Sequence, residues 1–240
     1  MRTRLTIMGI VLAAVAVALG TIGLLSARFG WPGLAIGVLG AAAVLVAYRL
    51  LLQPWQHRWG ATDQEVRRAM PGDDLILDAA STTRAITVAA PPEQVWPWLV
   101  QLGYGRGGWY SYDWIDNDGQ PSADRILPEL QQLQVGDQIL MVPEMGPRIR
   151  EIQPNRYFVS GDQESGTWCL ALYPTARGCR LVSRWRASWP LTPATVFWVL
   201  LSDPGAFIME RKMLKGIKTR AERAVRSAAS PSLHSTASRT

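Results

Sequence analysis

The densest set of chemically capable side chains in this 240-residue chain is Trp109-Tyr110-Ser111-Tyr112-Asp113-Trp114-Ile115-Asp116. Aromatic rings and two carboxylates packed this closely offer stacking surface, hydroxyl donors and negative charge at a pocket mouth. In an enzyme, Tyr112 with Asp113 or Asp116 would be the proton-transfer groups and Arg125 the orienting cation. In a binding protein, Trp109, Tyr110, Tyr112 and Trp114 would face an apolar ligand. A structural reading stands beside both. The aromatics then plug one end of the fold, and Arg106 or Arg125 pairs with Asp113, Asp116 or Asp124.

Other chemistries find no residues. The two histidines, His57 and His234, lie outside the segment that reads as a folded domain. That removes Ser-His-Asp and Cys-His nucleophiles and His-based metal sites, and no Cys or carboxylate cluster has metal-ligand spacing. No metal and no cofactor are expected. Cys169 and Cys179 flank the turn Pro174 to Gly178. One hairpin register puts them on one face several residues apart, the neighbouring one on opposite faces. Neither brings the Cα atoms within the ~7 Å a disulfide needs, so two unpaired thiols are expected, as in a reducing cytoplasm. Gly103, Gly105 and Gly108 spell G-x-G-x-x-G, but after a helix rather than a strand, which reads as a chance match to the dinucleotide fingerprint. Glu144, Arg148 and Glu151 read as surface residues.

The positioning elements are legible from periodicity. Thr83 to Val88 is β-rich; Pro91-Pro92 opens a helix through Val100, with Pro97 inside it. A Gly- and aromatic-rich connection, Gly103 to Gln134, follows, with a short helix expected near Ala123 to Gln132. Strand signals then recur at 138–142, 148–152, 157–160, 167–173 and 179–189, separated by turn residues. In the last of these, Cys179, Leu181, Ser183, Trp185, Ala187 and Trp189 share one face and Arg180, Arg184 and Arg186 the other, so one side of the sheet is apolar and the other is expected to face water. Thr192-Pro193 starts a final helix that Asp203-Pro204 is expected to break and restart. From there Phe207, Leu214, Ile217, Ala221 and Ala224 recur at helical spacing.

Two uncharged runs precede all this: Leu5 to Ala27, 23 residues, and Phe29 to Tyr48, 20 residues. At ~1.5 Å rise per residue each spans a ~30 Å hydrocarbon core. Arg28, Gly30 and Pro32 between them predict a transmembrane helical hairpin. A signal peptide has a shorter apolar core and no second span at once behind it. Arg2 and Arg4 before the hairpin and Arg49, Arg58, Arg67 and Arg68 after it, against Arg28 alone in the turn, place both termini in the cytoplasm. Trp55, His57 and Trp59 suit the interface, Thr62 and Glu65 form a capping box, and 73–82 reads as an extended linker. The organisation expected is a hairpin over 1–53, a juxtamembrane helix and linker over 54–82, a domain over 83–226 and a disordered tail over 227–240.

The net charge of +6 is concentrated at Arg211, Lys212, Lys215, Lys218, Arg220, Arg223 and Arg226. No nucleic-acid-binding motif accompanies them. Beside a membrane anchor they suit anionic head groups, or simply a solvated helix face.

The order strand, helix, antiparallel meander, long terminal helix resembles the START/SRPBCC superfamily, which includes polyketide cyclase/dehydrase and lipid-transport proteins. The run ITVAAPPEQVWPWLVQLGYGRGGWYSYDWIDN (86–117), followed by SADRILPELQQLQVGDQI, is similar to a membrane-associated bacterial branch of it. The resemblance implies an α+β helix-grip fold, a curved antiparallel sheet around the C-terminal helix, with a cavity that holds an apolar ligand. Met141, Trp168, Trp185 and Trp189 are then candidate cavity liners, or core filling. The leading expectation is a membrane-anchored domain that binds or shields a hydrophobic small molecule or lipid. A cyclase- or dehydrase-like enzyme and a non-catalytic scaffold are the alternatives.

Overall fold

The computed structural model describes residues 2–164, 166–188 and 192–229. Its centre is a five-stranded, wholly antiparallel open sheet, ordered β1-β5-β4-β3-β2. The strands are β1 (Ala80–Val88), β2 (Ile149–Gln153), β3 (Tyr157–Asp162), β4 (Gly166–Thr175) and β5 (Gly178–Ala187). Strands β2 to β5 form a meander of hairpins, and β1 closes onto β5 with Ala80 opposite Ala187 and Val88 opposite Cys179. The expected strand at 138–142 is absent. Isolated bridges join Gln138 to Arg148 and Val142 to Met145, and Ile139 N–H donates to the Pro147 carbonyl, but Pro143 inside the turn and Pro147 after it have no N–H for a regular ladder.

Helix α4 (Pro92–Val100) and the long α6 (Pro193–Ala229) cover the inner face of the sheet. Phe207, Leu214, Ile217 and Ala221 bury one stripe of α6, as the helical spacing predicts; Ala224 is exposed. Gly216 lets α6 approach the loop closely, since a Cβ there would lie 2.3 Å from the Tyr110 carbonyl oxygen. Contrary to expectation, α6 runs unbroken through Pro204. The Asp203 side chain just before that proline is held by Tyr48, Gln53 and His57. The helix reaches Ala229, beyond the expected boundary at 226. Residues 230–240, the rest of the expected tail, lie outside the described residues, as does Trp189.

The outer face of the sheet is covered over β1, β5 and β4 rather than open to water. After α2 (Gln53–His57), whose His57 lines the inner-face cavity, α3 (Asp63–Arg67) and a 3-10 turn, Asp73–Leu75, inside the expected linker, lie over it. Arg184, 3% exposed, donates to the carbonyls of Glu65 (2.7 Å), Val66 (3.0 Å) and Arg68 (2.8 Å) and to the Asp73 carboxylate (2.7 Å). Arg180 forks onto both oxygens of Glu65 at 2.8 Å. A second apolar cluster, including Met70, Ala85, Val159, Cys169 and Val182, seals the contact. The Thr62–Glu65 capping box forms as the sequence predicts. The helix expected at 123–132 shortens to a 3-10 turn, Pro128–Leu130, because the residue before a proline avoids the helical region. Cys169 and Cys179 are unpaired, Cys169 lying opposite Arg184 and Cys179 opposite Pro174, on opposite faces of the β4–β5 hairpin. Burial pushes their thiols up to about 12 and about 11.

At the N-terminus, α1 (Arg2–Ala47) contains one non-helical residue, Gly30, at φ 65° and ψ −145°. A Cβ on Gly33 would lie 1.9 Å from the Leu25 carbonyl oxygen, and one on Gly37 3.2 Å from Ile22 Cγ1. A straight helix would hold those pairs ~12 and ~22 Å apart. A π-turn, Tyr48–Leu52, joins α1 to α2. Among the described residues one helical stretch, Val15–His57, is long and apolar enough to cross a membrane, with mean hydropathy 2.1 in its most apolar window.

Candidate functional site

The strands set an aromatic wall. Trp168 on β4 and Trp185 on β5 are register partners, so their side chains leave the same face side by side. Their rings stack with centroids 5.1 Å apart and planes 11° apart. Ser183 accepts a hydrogen bond from Trp168 Nε1 at 2.8 Å, which satisfies the buried indole. Trp109 adds a third ring, 5.9 Å from Trp168. Opposite these, α6 presents Met209 and Met213, and the loop presents Met141. Between the walls lies a cavity of about 490 Å³, within the ~300–1,000 Å³ typical of small-molecule sites.

A few polar groups break this apolar lining. Asp116, at the end of the short α5 (Asp113–Asp116), is 3% exposed, and neither of its carboxylate oxygens has a hydrogen-bond partner among the described residues. Burial, and next the neighbouring Asp113 charge, push its carboxyl up to about 6. Ser111, whose hydroxyl donates to the Met209 carbonyl at 3.0 Å, and the backbone of the turn oppose this only in part. Asp113 is used differently: it accepts from Ser122 N at 3.0 Å and from the Ser122 hydroxyl, fixing the turn that aims Asp116.

Also on this lining, Arg84 pairs with Glu210, both buried, and donates to the Gln56 carbonyl at 2.9 Å. The second oxygen of Glu210, Oε1, has no partner. At the end nearest α1, Asp203 accepts from Tyr48 (2.8 Å) and Gln53 (2.8 Å) and lies 3.0 Å from His57 Nε2. Burial would raise the Asp203 carboxyl, but hydrogen bonds from His57, Gln53 and Tyr48 and the His57 charge hold it down at about 2.

The residues expected to carry chemistry therefore separate. Trp109, Asp116, Met141, Trp168 and Trp185 line the large cavity. Tyr110 and Asp113 line a smaller one of about 290 Å³ with Lys212, Lys215 and Arg220. There Tyr110 accepts from Gln101 at 2.8 Å and lies under the Arg220 guanidinium, 4.5 Å from its ring centroid. Tyr112 is half-buried, near Lys212, and Trp114 is 60% exposed. Arg125 is exposed, and its backbone carbonyl, not its side chain, accepts from Gln101. Arg106 donates to the carbonyls of Val100 and Leu102, not to a carboxylate. Gly103 and Gly108 bridge each other in a loop, consistent with a chance fingerprint.

Sequence reasoning missed His57, Arg84, Asp203 and Glu210. Arg84 did leave a signal: it shares strand parity with Ile86 and Val88, so alternation places a charge on the apolar face. His57 and Asp203 are 146 residues apart and leave none.

No family model matches this chain, and no curated protein matches it. Solved structures do. A protein from Nitrosomonas europaea, NE0264, is 14% identical, covers 65% of this chain and 99% of its own, and has a TM-score of 0.40. A polyketide-cyclase-like protein from Corynebacterium glutamicum, Cgl2372, is 17% identical over 67% of this chain and 99% of its own, with a TM-score of 0.31. CalU16 from Micromonospora echinospora is 17% identical over 63% of this chain and 90% of its own, with a TM-score of 0.33.

Proposed function

We propose that this chain is a membrane-tethered domain of the START/SRPBCC kind, a helix-grip fold that binds or shields a hydrophobic small molecule or lipid between its sheet and α6. The observation that carries the reading is the cavity itself. A space of about 490 Å³ walled by three tryptophans and three methionines has the size and apolar lining of a small-molecule site. Its wall includes His57, which follows closely on the end of α1 at Ala47. An apolar ligand leaving a bilayer would thus meet the cavity near the anchor. The reversal at Gly30 and the close approach of Gly33 to Leu25 support two antiparallel spans with both termini on the domain side. The basic face of α6 suits anionic head groups on that side.

The test is uptake of an uncharged solvatochromic dye, Nile red, by the full chain in nanodiscs, with empty nanodiscs as blank. Saturable uptake that is lost in Ala206→Trp and Ser81→Trp, both of which fill the cavity wall, is expected. Uptake unchanged by those substitutions contradicts the reading.

The enzyme reading has one specific observation in its favour: Asp116 lines the cavity, and burial raises its carboxyl, a property of general acids and bases. In that reading Asp116 moves the proton. Tyr112 and Arg125 line neither of these two cavities.

A further inference from the structure

We propose that the occupant of the large cavity carries a protonated amine, seated against Asp116 and Glu210, on an otherwise apolar body. The inference rests on the proposed cavity reading and goes beyond it by assigning the chemistry of the ligand's polar end.

The argument starts from groups that lack partners. Both oxygens of Asp116 and Oε1 of Glu210 are buried and unsatisfied among the described residues, and both residues line the same cavity. A buried acceptor without a donor costs free energy, and a buried ionised one costs more. The lining offers Asp116 only partial relief, because the Ser111 side chain and the backbone N–H groups of Tyr112 and Asp116 favour its carboxylate without offsetting its burial. The Arg84 guanidinium is already committed to Glu210 and the Gln56 carbonyl, and the Ser111 hydroxyl donates to Met209. What completes the site is therefore a donor, brought in from outside.

Charge narrows the class. Among the described residues that line the cavity, Asp116, Glu210 and Asp203 are matched by two basic side chains, Arg84 and His57. A carboxylate ligand would add to an already acidic lining. A neutral alcohol would supply one hydrogen bond and no charge. An ammonium supplies up to three N–H donors and cancels a carboxylate charge in a low-dielectric space. The walls agree, because Trp185, partly exposed and stacked on the buried Trp168, presents aromatic surface on which a cation and an apolar body both bind well.

The experiment uses three probes with one apolar body and different heads: 2-(1-naphthyl)ethylamine, 2-(1-naphthyl)ethanol and 1-naphthylacetate. 1-Ethylnaphthalene serves as the headless control. Binding to the full chain in nanodiscs is read by calorimetry against empty nanodiscs. The amine is expected to bind about tenfold or more tighter than the alcohol, the scale of one charge-assisted hydrogen bond, with the acid weakest. Asp116→Asn is expected to remove most of that advantage and leave the alcohol nearly unchanged. Equal binding of amine and alcohol to the natural chain overturns the inference without need of any variant. So does an amine preference that survives in a folded Asp116→Asn. If ethylnaphthalene binds as well as the amine, the cavity reading stands and the amine inference falls. If none of the four binds, both fall.

Discussion

Replacing Asp116 with Asn is expected to stabilise the domain at alkaline pH and to change it little in acid. Asp116 is 3% exposed and unpaired, and its carboxyl rises from 3.8 to about 6 in the folded protein. A folded-state value above the unfolded one means that the native state holds this proton over a pH range where the unfolded chain has lost it. Stability therefore falls as pH rises from about 4 to about 6 and stays lower above that. At ~1.36 kcal/mol per pH unit the full cost is about 3 kcal/mol near pH 8, shrinking to about 0.5 kcal/mol near pH 4. Asn keeps the shape and removes the charge. For a chain of this size ~1 kcal/mol moves the melting temperature by ~2–4 °C. The variant should thus melt about 6–12 °C above the natural chain near pH 8, and within about 2 °C of it near pH 4. The assay is thermal unfolding of the full chain in a maltoside detergent, followed by tryptophan fluorescence. A similar gain at both pH values, or a loss near pH 8, would refute the claim that Asp116 is an uncompensated buried carboxylate.

Further outcomes follow from other contacts. Asp203→Asn should destabilise the chain by roughly 1–2 kcal/mol near neutral pH. It should also flatten the acid limb of the stability curve, because a carboxyl held at about 2 contributes stability that is present above its unfolded value and lost as pH falls toward 2; melting curves between about pH 2 and 7 check this. Gly216→Ala should cost about 1–3 kcal/mol by driving a methyl into the Tyr110 carbonyl, read by the same melts. Trp168→Ala should cost about 3–5 kcal/mol and abolish any near-ultraviolet exciton signal of the Trp168–Trp185 stack, which circular dichroism detects. Cys169 and Cys179, buried and with raised thiol pKa values, should resist Ellman's reagent near pH 8 until the chain is unfolded.

Local rules were readable where the sequence repeats its own signal. The alternation of Cys179, Leu181, Ser183 and Trp185 predicts the inner face of β5, and the stripe Phe207, Leu214, Ile217 and Ala221 predicts the buried side of α6. The Thr62–Glu65 cap could be read from four residues. Long-range pairing could not. Arg184 looks like a solvent-facing arginine until α3 and the Asp73 turn lie over it with a carboxylate and three carbonyls. Pro204 reads as a break until Tyr48, Gln53 and His57 hold the residue before it. The aromatic segment was identified as the densest chemical cluster, but its division was invisible. Only the short turn at α5, pinned by Ser122, sends Asp116 to the large cavity and Asp113 to the small one.

The central claim, an apolar space that holds a guest, is tested most directly by native mass spectrometry of the full chain released from mild detergent. A one-to-one adduct with a small apolar molecule, carried through purification or taken up from a lipid library and lost in Ala206→Trp, is the predicted result. A spectrum showing only the bare chain, before and after exposure to that library, would contradict it.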